Sequence, residues 1–274
     1  EIVDVEHLPQ AIGLDSISRN IAQSVGPALA GLLIALFNPG AVFALNAFSF
    51  IGIVFVAQHY KSSALPIERQ RGVNHAIGEG IKHIVGAAHL RNVALRLTVV
   101  LGATSALTSV MPVVARKNLD VSASGFGLLS GALGVGSVAA VWVLPRVRGA
   151  MSTEMVVLCA AAVWSCGTAV FANTSVIWVA VVAMLICGMG TMAMLNTMFS
   201  TFMVQLPDWV RGRGSSLAML MVWLGASVGA FGWGLGASTF GVSTALTAAA
   251  IFNMTVALLN RLVLPLRAGD GDRT

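Results

Sequence analysis

The sequence predicts an all-α polytopic membrane protein, and three observations carry that prediction. Charged residues make up 10% of the 274 and apolar residues 57%, whereas a soluble domain carries about 25% charge. The mean hydropathy is +0.85. The charges are also gathered into clusters: residues 20–60, 97–115, 121–145, 155–207 and 214–260 contain no Asp, Glu, Lys or Arg. So few charges do not wet a globular surface, and the same composition excludes a disordered chain, a collagen and a coiled coil. Cys159, Cys166 and Cys187 all lie in apolar runs, which points to neither a disulfide framework nor a zinc knuckle. The 29 glycines fall inside apolar runs, where small residues let membrane helices approach closely.

A spanning helix needs about 20 apolar residues, so the longest charge-free gaps each hold two. Each double gap contains a turn signal: Asn38-Pro39-Gly40, Asn173-Thr174-Ser175 and Ser238-Thr239-Phe240-Gly241. The expectation is eight helices, near 15–37, 41–58, 93–112, 125–145, 154–172, 176–203, 215–237 and 241–262.

Orientation follows from the basic residues. With residues 59–92 placed inside, fourteen of the sixteen Lys and Arg lie at the cytoplasmic side and only Arg116 and Lys117 lie outside. Lys and Arg resist translocation. Cysteines introduced at Ser62 and Asp270 are therefore expected to be shielded from an impermeant thiol reagent in intact cells. One at Ser122 is expected to react, in a background without the native cysteines, and the opposite pattern would reverse the orientation. The net charge of +5 has the same origin. No basic stripe with interleaved aromatics points to nucleic acid. In the inner loop, Ile77, Ile81, Ile84, Val85 and Ala88 recur at helical spacing, which predicts an amphipathic helix on the inner membrane surface.

The first predicted helix carries Gly13, Ala22 and then Gly26-Pro27-Ala28-Leu29-Ala30-Gly31. Pro27 removes a backbone donor and bends the helix, and the small residues beside it admit a neighbour. This spacing resembles the antiporter motif on the fifth helix of major facilitator superfamily exporters. Leu45-Asn46-Ala47-Phe48-Ser49-Phe50, Gly80-Ile81-Lys82-His83-Ile84 with Leu90-Arg91-Asn92, and Pro207-Asp208-Trp209-Val210-Arg211-Gly212-Arg213 extend the likeness. Together they resemble the subgroup that contains the enterobactin exporter and bacterial macrolide-efflux permeases. The last run corresponds to the cytoplasmic loop between that subgroup's helices ten and eleven. Pro145-Arg146-Val147-Arg148-Gly149 falls at its loop between helices eight and nine. It keeps the arginines but lacks the aspartate, so inner-surface anchoring is its expected role.

The resemblance implies a fragment covering helices five to twelve of a twelve-helix major facilitator-type bundle. Residues 1–58 would be the last two helices of the N-terminal half, 59–92 the central cytoplasmic loop, 93–262 the C-terminal six-helix half, and 263–274 a cytoplasmic tail. The residues give independent support, because such folds repeat internally. Leu8-Pro9 precedes Gly26 much as Leu206-Pro207 precedes Gly225. Gly127 with Gly131, Gly225 with Gly229 and Gly232 with Gly236 are small-xxx-small pairs expected to mark tight packing.

Polar residues at predicted mid-membrane depth are Asn46, Thr104, Ser105, Thr108, Asn196, Thr197 and Asn253. The resemblance implies that helices seven and ten line the cavity, which selects Thr104, Thr108 and Asn196, with Asn46 beside them. Met184, Met189, Met192, Met194 and Met198 suit an adaptable apolar cavity, with lipid-facing packing the default expectation.

No triad, metal-ligand cluster or phosphate loop is present in the sequence, so neither an enzyme nor a cofactor is expected. The implied function is a secondary active transporter in a bacterial inner membrane, exporting a small amphipathic molecule by alternating access with proton antiport. Its expected partners are that substrate, protons, membrane lipids and the missing N-terminal helices. An importer of the same fold and a non-transporting sensor or scaffold are the alternatives.

Overall fold

A computed structural model describes residues 39–59, 86–206 and 208–263. Its helices are α1 (Pro39–His59), α2 (Ala88–Lys117), α3 (Ala123–Ala150), α4 (Thr153–Asn173), α5 (Ile177–Val204), α6 (Asp208–Phe240) and α7 (Val242–Val263). Among the described residues six helices, α2 to α7, are long and apolar enough to cross a membrane. The expected eight are thus not matched. The span near 15–37, with Gly26, Pro27 and Gly31, lies outside the described residues, as does the amphipathic segment through Val85. The span near 41–58 is α1, a helix of 21 residues without an Asp, Glu, Lys or Arg.

The helix ends show what stops each one. Pro39 opens α1 at a position where its missing N–H is not needed. Asn173-Thr174-Ser175 separates α4 from α5 as expected. Between α6 and α7 the break shrinks to Gly241 alone, whose φ of 91° suits a residue without a side chain.

Three boundaries depart from expectation. The helix expected from residue 93 already begins at Ala88, taking in Leu90-Arg91-Asn92. Pro145–Gly149 is no loop, for α3 runs through it to Ala150 with Pro145 inside. The sequence from Asp208 to Arg213 is no loop either; it forms the first turns of α6, and only Pro207 lies outside the described residues. The physical reason is common to all three. Charge density marks where a chain leaves the bilayer, but arginine is a good helix former. A membrane helix therefore continues into the headgroup region after its hydropathy has ended.

The bundle is assembled from helices distant in sequence. The most extensive contacts pair α2 with α6, α3 with α5 and α4 with α5, and α7 packs on α4 and α2. Glycines make the closest approaches. A Cβ on Gly136 would collide with the Leu185 carbonyl, and one on Gly188 with the Leu133 carbonyl. Gly225 and Gly229 lie in the same way against the backbone at Thr98 and Gly102. Gly225 and Gly229 thus pack as expected. A Cβ on Gly232 would meet nothing within 4 Å, and one on Gly236 would meet only Ala245, at 4.0 Å. That pair does not mark a tight contact.

The core between these seams holds Trp164, Phe171, Phe202 and Leu107, all fully buried. Met184, Met194 and Met198 are buried with them, which corrects the expectation of lipid-facing or cavity positions for these three. Asn253 pegs α7 to α4, its Nδ2 donating to Ser165 Oγ at 3.2 Å and to the Ala161 carbonyl at 3.4 Å.

Candidate functional site

Among the described residues two helix seams and an ion pair organise the polar chemistry of the bundle. At the first seam α2 presents Thr98, Gly102 and Ser105 to α6. Trp233 Nε1 donates to the Gly102 carbonyl at 2.9 Å, and Ser105 Oγ donates to the same oxygen at 2.9 Å. Beside this joint lies an apolar groove of about 500 Å³, lined by Thr98, Val99 and Gly102 of α2, Leu224, Gly225, Val228, Gly229, Gly232 and Trp233 of α6, and Phe252 of α7. Trp233 and Phe252 meet edge to face with centroids 5.9 Å apart, a geometry aromatic quadrupoles favour. The groove offers shape and aromatic surface, with few hydrogen-bonding groups.

The second seam joins α3 to α5. At the C-terminal end of α3 Arg148 Nη2 donates to Asn196 Oδ1 at 2.9 Å and to Thr197 Oγ1 at 3.0 Å. Ser137 Oγ reaches the Leu133 carbonyl on its own helix and the Gly188 carbonyl across the seam, at 3.0 and 3.3 Å.

The ion pair is Arg96 with Glu154. The guanidinium and carboxylate meet bidentately, at 2.6 Å for Nη1–Oε1 and 2.9 Å for Nη2–Oε2. Arg96 is 1% exposed and Glu154 16%. It ties the N-terminal third of α2 to the first turn of α4, and α5 and α7 each pack on both helices.

The predicted site residues do not converge. Thr104 is buried, and its hydroxyl donates to the Val100 carbonyl one turn back at 2.9 Å. Thr108 is exposed and donates to the Ser105 carbonyl at 3.2 Å. Asn196 is half-buried in the C-terminal third of α5, engaged by Arg148 instead of standing at mid-helix. Asn46 is exposed on α1, where its backbone carbonyl accepts a bond from Ser49. Asp208, Arg211, Gly212 and Arg213 are placed as backbone in α6. The groove residues Trp233, Phe252, Leu224 and Val228 are not marked in the sequence, because apolar side chains in an apolar helix carry no distinguishing signal. Gly225 and Gly229 are the pointer to that seam. Among the described residues no group of three His, Cys, Asp or Glu is placed to hold a metal.

The comparisons with known proteins agree with this architecture. Residues 1–273 match the family of transmembrane secretion effectors, a major facilitator-type family. The chain belongs to that family. This secretion-effector chain is accordingly an integral membrane protein of transporter type and not an enzyme. It is similar to the staphyloferrin A transporter of Staphylococcus aureus, with 25% identity over 142 residues, which are 50% of this chain and 35% of that protein. The matched part thus spans about a third of the relative's length. A solved structure of a bacterial metal transporter superposes with a TM-score of 0.66 at 16% identity, covering 94% of this chain and 67% of that one. At that identity the likeness shows the fold.

Proposed function

We propose that this secretion-effector chain is the C-terminal two-thirds of an exporter that moves a small amphipathic molecule outward across a bacterial inner membrane by alternating access. The observation that carries the reading is the family match over residues 1–273, on a six-helix body sealed by glycine at both long seams. Such a body is stiff enough to rock as one piece against a second half. The siderophore transporter among its relatives favours a cargo of that size, and the apolar groove beside Trp233 and Phe252 suits its less polar part. In this reading the eight helices belong to a twelve-helix bundle, and Gly26, Pro27 and Gly31 shape the seam between its halves. Asn46, Thr104, Thr108 and Asn196 are proposed to border the pathway from α1, α2 and α5, with Thr104 and Thr108 acting through the helix bonds their hydroxyls make.

Coupling to protons is part of the proposal, and the carrier is placed outside the described helices. Of the acids whose side chains are described, Asp120 stands in the turn after α2 and Glu154 is held by Arg96. An unpaired carboxylate at mid-depth, which such coupling ordinarily needs, is absent among the described residues. Residues 1–274 reconstituted in proteoliposomes with an imposed pH gradient are expected to give no substrate-dependent proton flux, whereas the full-length protein gives one. Flux from 1–274 alone would overturn this assignment of the carrier. Accumulation into the cell by the full-length protein would favour the importer.

A further inference from the structure

A second cleft, sharing no lining residue with the Trp233 groove, lies between α3 and α4. The two helices are joined by a two-residue link, Met151-Ser152, yet hardly touch along their lengths. The space between them is a slot of about 130 Å³ floored by α5. Val143 and Val147 form one wall, Cys159 and Val163 the other, and Gly190 and Ala193 the floor. Val143 and Val163 are 43% and 39% exposed, so the slot opens sideways toward the bilayer. It is too narrow for a helix, and its walls offer hydrocarbon almost exclusively.

The inner end of the slot is different. Asn196 and Thr197 follow Ala193 by three and four residues, which places them on the same stripe of α5 one helical turn, about 5.4 Å, further in. Arg148 is the residue after wall residue Val147, and its guanidinium bridges Asn196 Oδ1 and Thr197 Oγ1. Both acceptors are neutral. They orient the cation without compensating it, and among the described residues Arg148 has no carboxylate partner. An apolar slot open to the membrane therefore ends in an oriented guanidinium at headgroup depth.

We infer that this slot binds an anionic phospholipid of the inner leaflet, an acyl chain lying between α3 and α4 and the phosphate on Arg148. Charge complementarity selects the occupant: a guanidinium presents paired donors that match phosphate geometry, and a cation near the anionic leaflet favours such lipids by about fivefold. The inference is independent of transport direction and coupling, so it stands or falls apart from the proposed function.

Two native cysteines supply the test. Cys159 lines the slot, whereas Cys166 is exposed on the same helix outside it. The full-length protein is placed in nanodiscs of phosphatidylglycerol or phosphatidylcholine, and alkylation of both thiols by a small maleimide is followed by mass spectrometry. Phosphatidylglycerol is expected to slow Cys159 about fivefold relative to phosphatidylcholine and to leave Cys166 unchanged. Arg148→Gln is expected to abolish the difference, Arg148→Lys to keep part of it, and Arg146→Gln, one residue from Val147 on the other side, to keep it whole. Equal Cys159 rates of the unaltered protein in the two lipids would overturn the inference without recourse to any variant. Loss of the effect in Arg146→Gln to the same degree as in Arg148→Gln would overturn it too, by showing a diffuse basic surface instead of a site.

Discussion

Gly188→Ala is expected to destabilise the bundle by about 3 kcal/mol or more, the upper range for an overpacked site. The added methyl would collide with the Leu133 carbonyl and come within 3.0 Å of Ser137 N. Both are backbone atoms of α3, so no side chain can swing away. Gly136 makes the reciprocal approach to the Leu185 carbonyl, and shifting the helices apart to relieve one contact would open the other and stretch the Ser137 bond to Gly188. Gly232→Ala supplies the contrast. Its methyl would meet nothing within 4 Å, and exchanging glycine for alanine in a helix favours the helix by about 1 kcal/mol. Thermal unfolding in detergent is expected to show a large loss for the first variant and no loss for the second. Equal unfolding temperatures would mean that the α3–α5 seam is looser than its geometry.

Glu154→Ala is expected to cost about 3–5 kcal/mol, because it removes the carboxylate that meets the buried guanidinium of Arg96 bidentately. Arg96 is 1% exposed. Replacing both partners by apolar residues of similar volume, Arg96→Met with Glu154→Leu, is expected to recover most of that loss, since the desolvation of both charges disappears together. If the single variant unfolds at the same temperature as the unaltered protein, the pair is not the tie between α2 and α4 that its bidentate geometry implies. If the double variant is as damaged as the single one, the charges contribute more than their mutual compensation.

How far such features are legible in the sequence differs by kind. Spans α2 to α7 follow from charge-free gaps, because the bilayer imposes one requirement that composition alone reveals. Helix ends do not follow: Arg146 and Arg148 mark the membrane edge, while α3 runs on to Ala150. Partner choice among helices is half visible. Gly225 and Gly229 announce a close contact without saying that Thr98 and Gly102 supply the other side. Gly232 and Gly236 show the same spacing and pack against almost nothing. Arg96 and Glu154 read as two ordinary charges at the cytoplasmic edge, since nothing local distinguishes a buried arginine from a solvated one 58 residues from its partner. Thr104 and Thr108 read as polar groups facing a cavity, yet a threonine in a helix satisfies its hydroxyl on the preceding turn, as both do here.

The joint between Trp233 and Gly102 has a consequence in time. Its two residues are 131 positions apart in the chain, and synthesis proceeds at about 5–20 residues per second. For roughly 7–26 s after Gly102 is made, the glycine-and-hydroxyl face of α2 waits for its partner on α6, and Glu154 reaches α2 well before Trp233 does. A nascent molecule thus passes through a stage in which α2 is tethered near its N-terminal end and unclosed along its length. Any membrane protease or insertase that recognises unpaired polar helix faces has that interval in which to act.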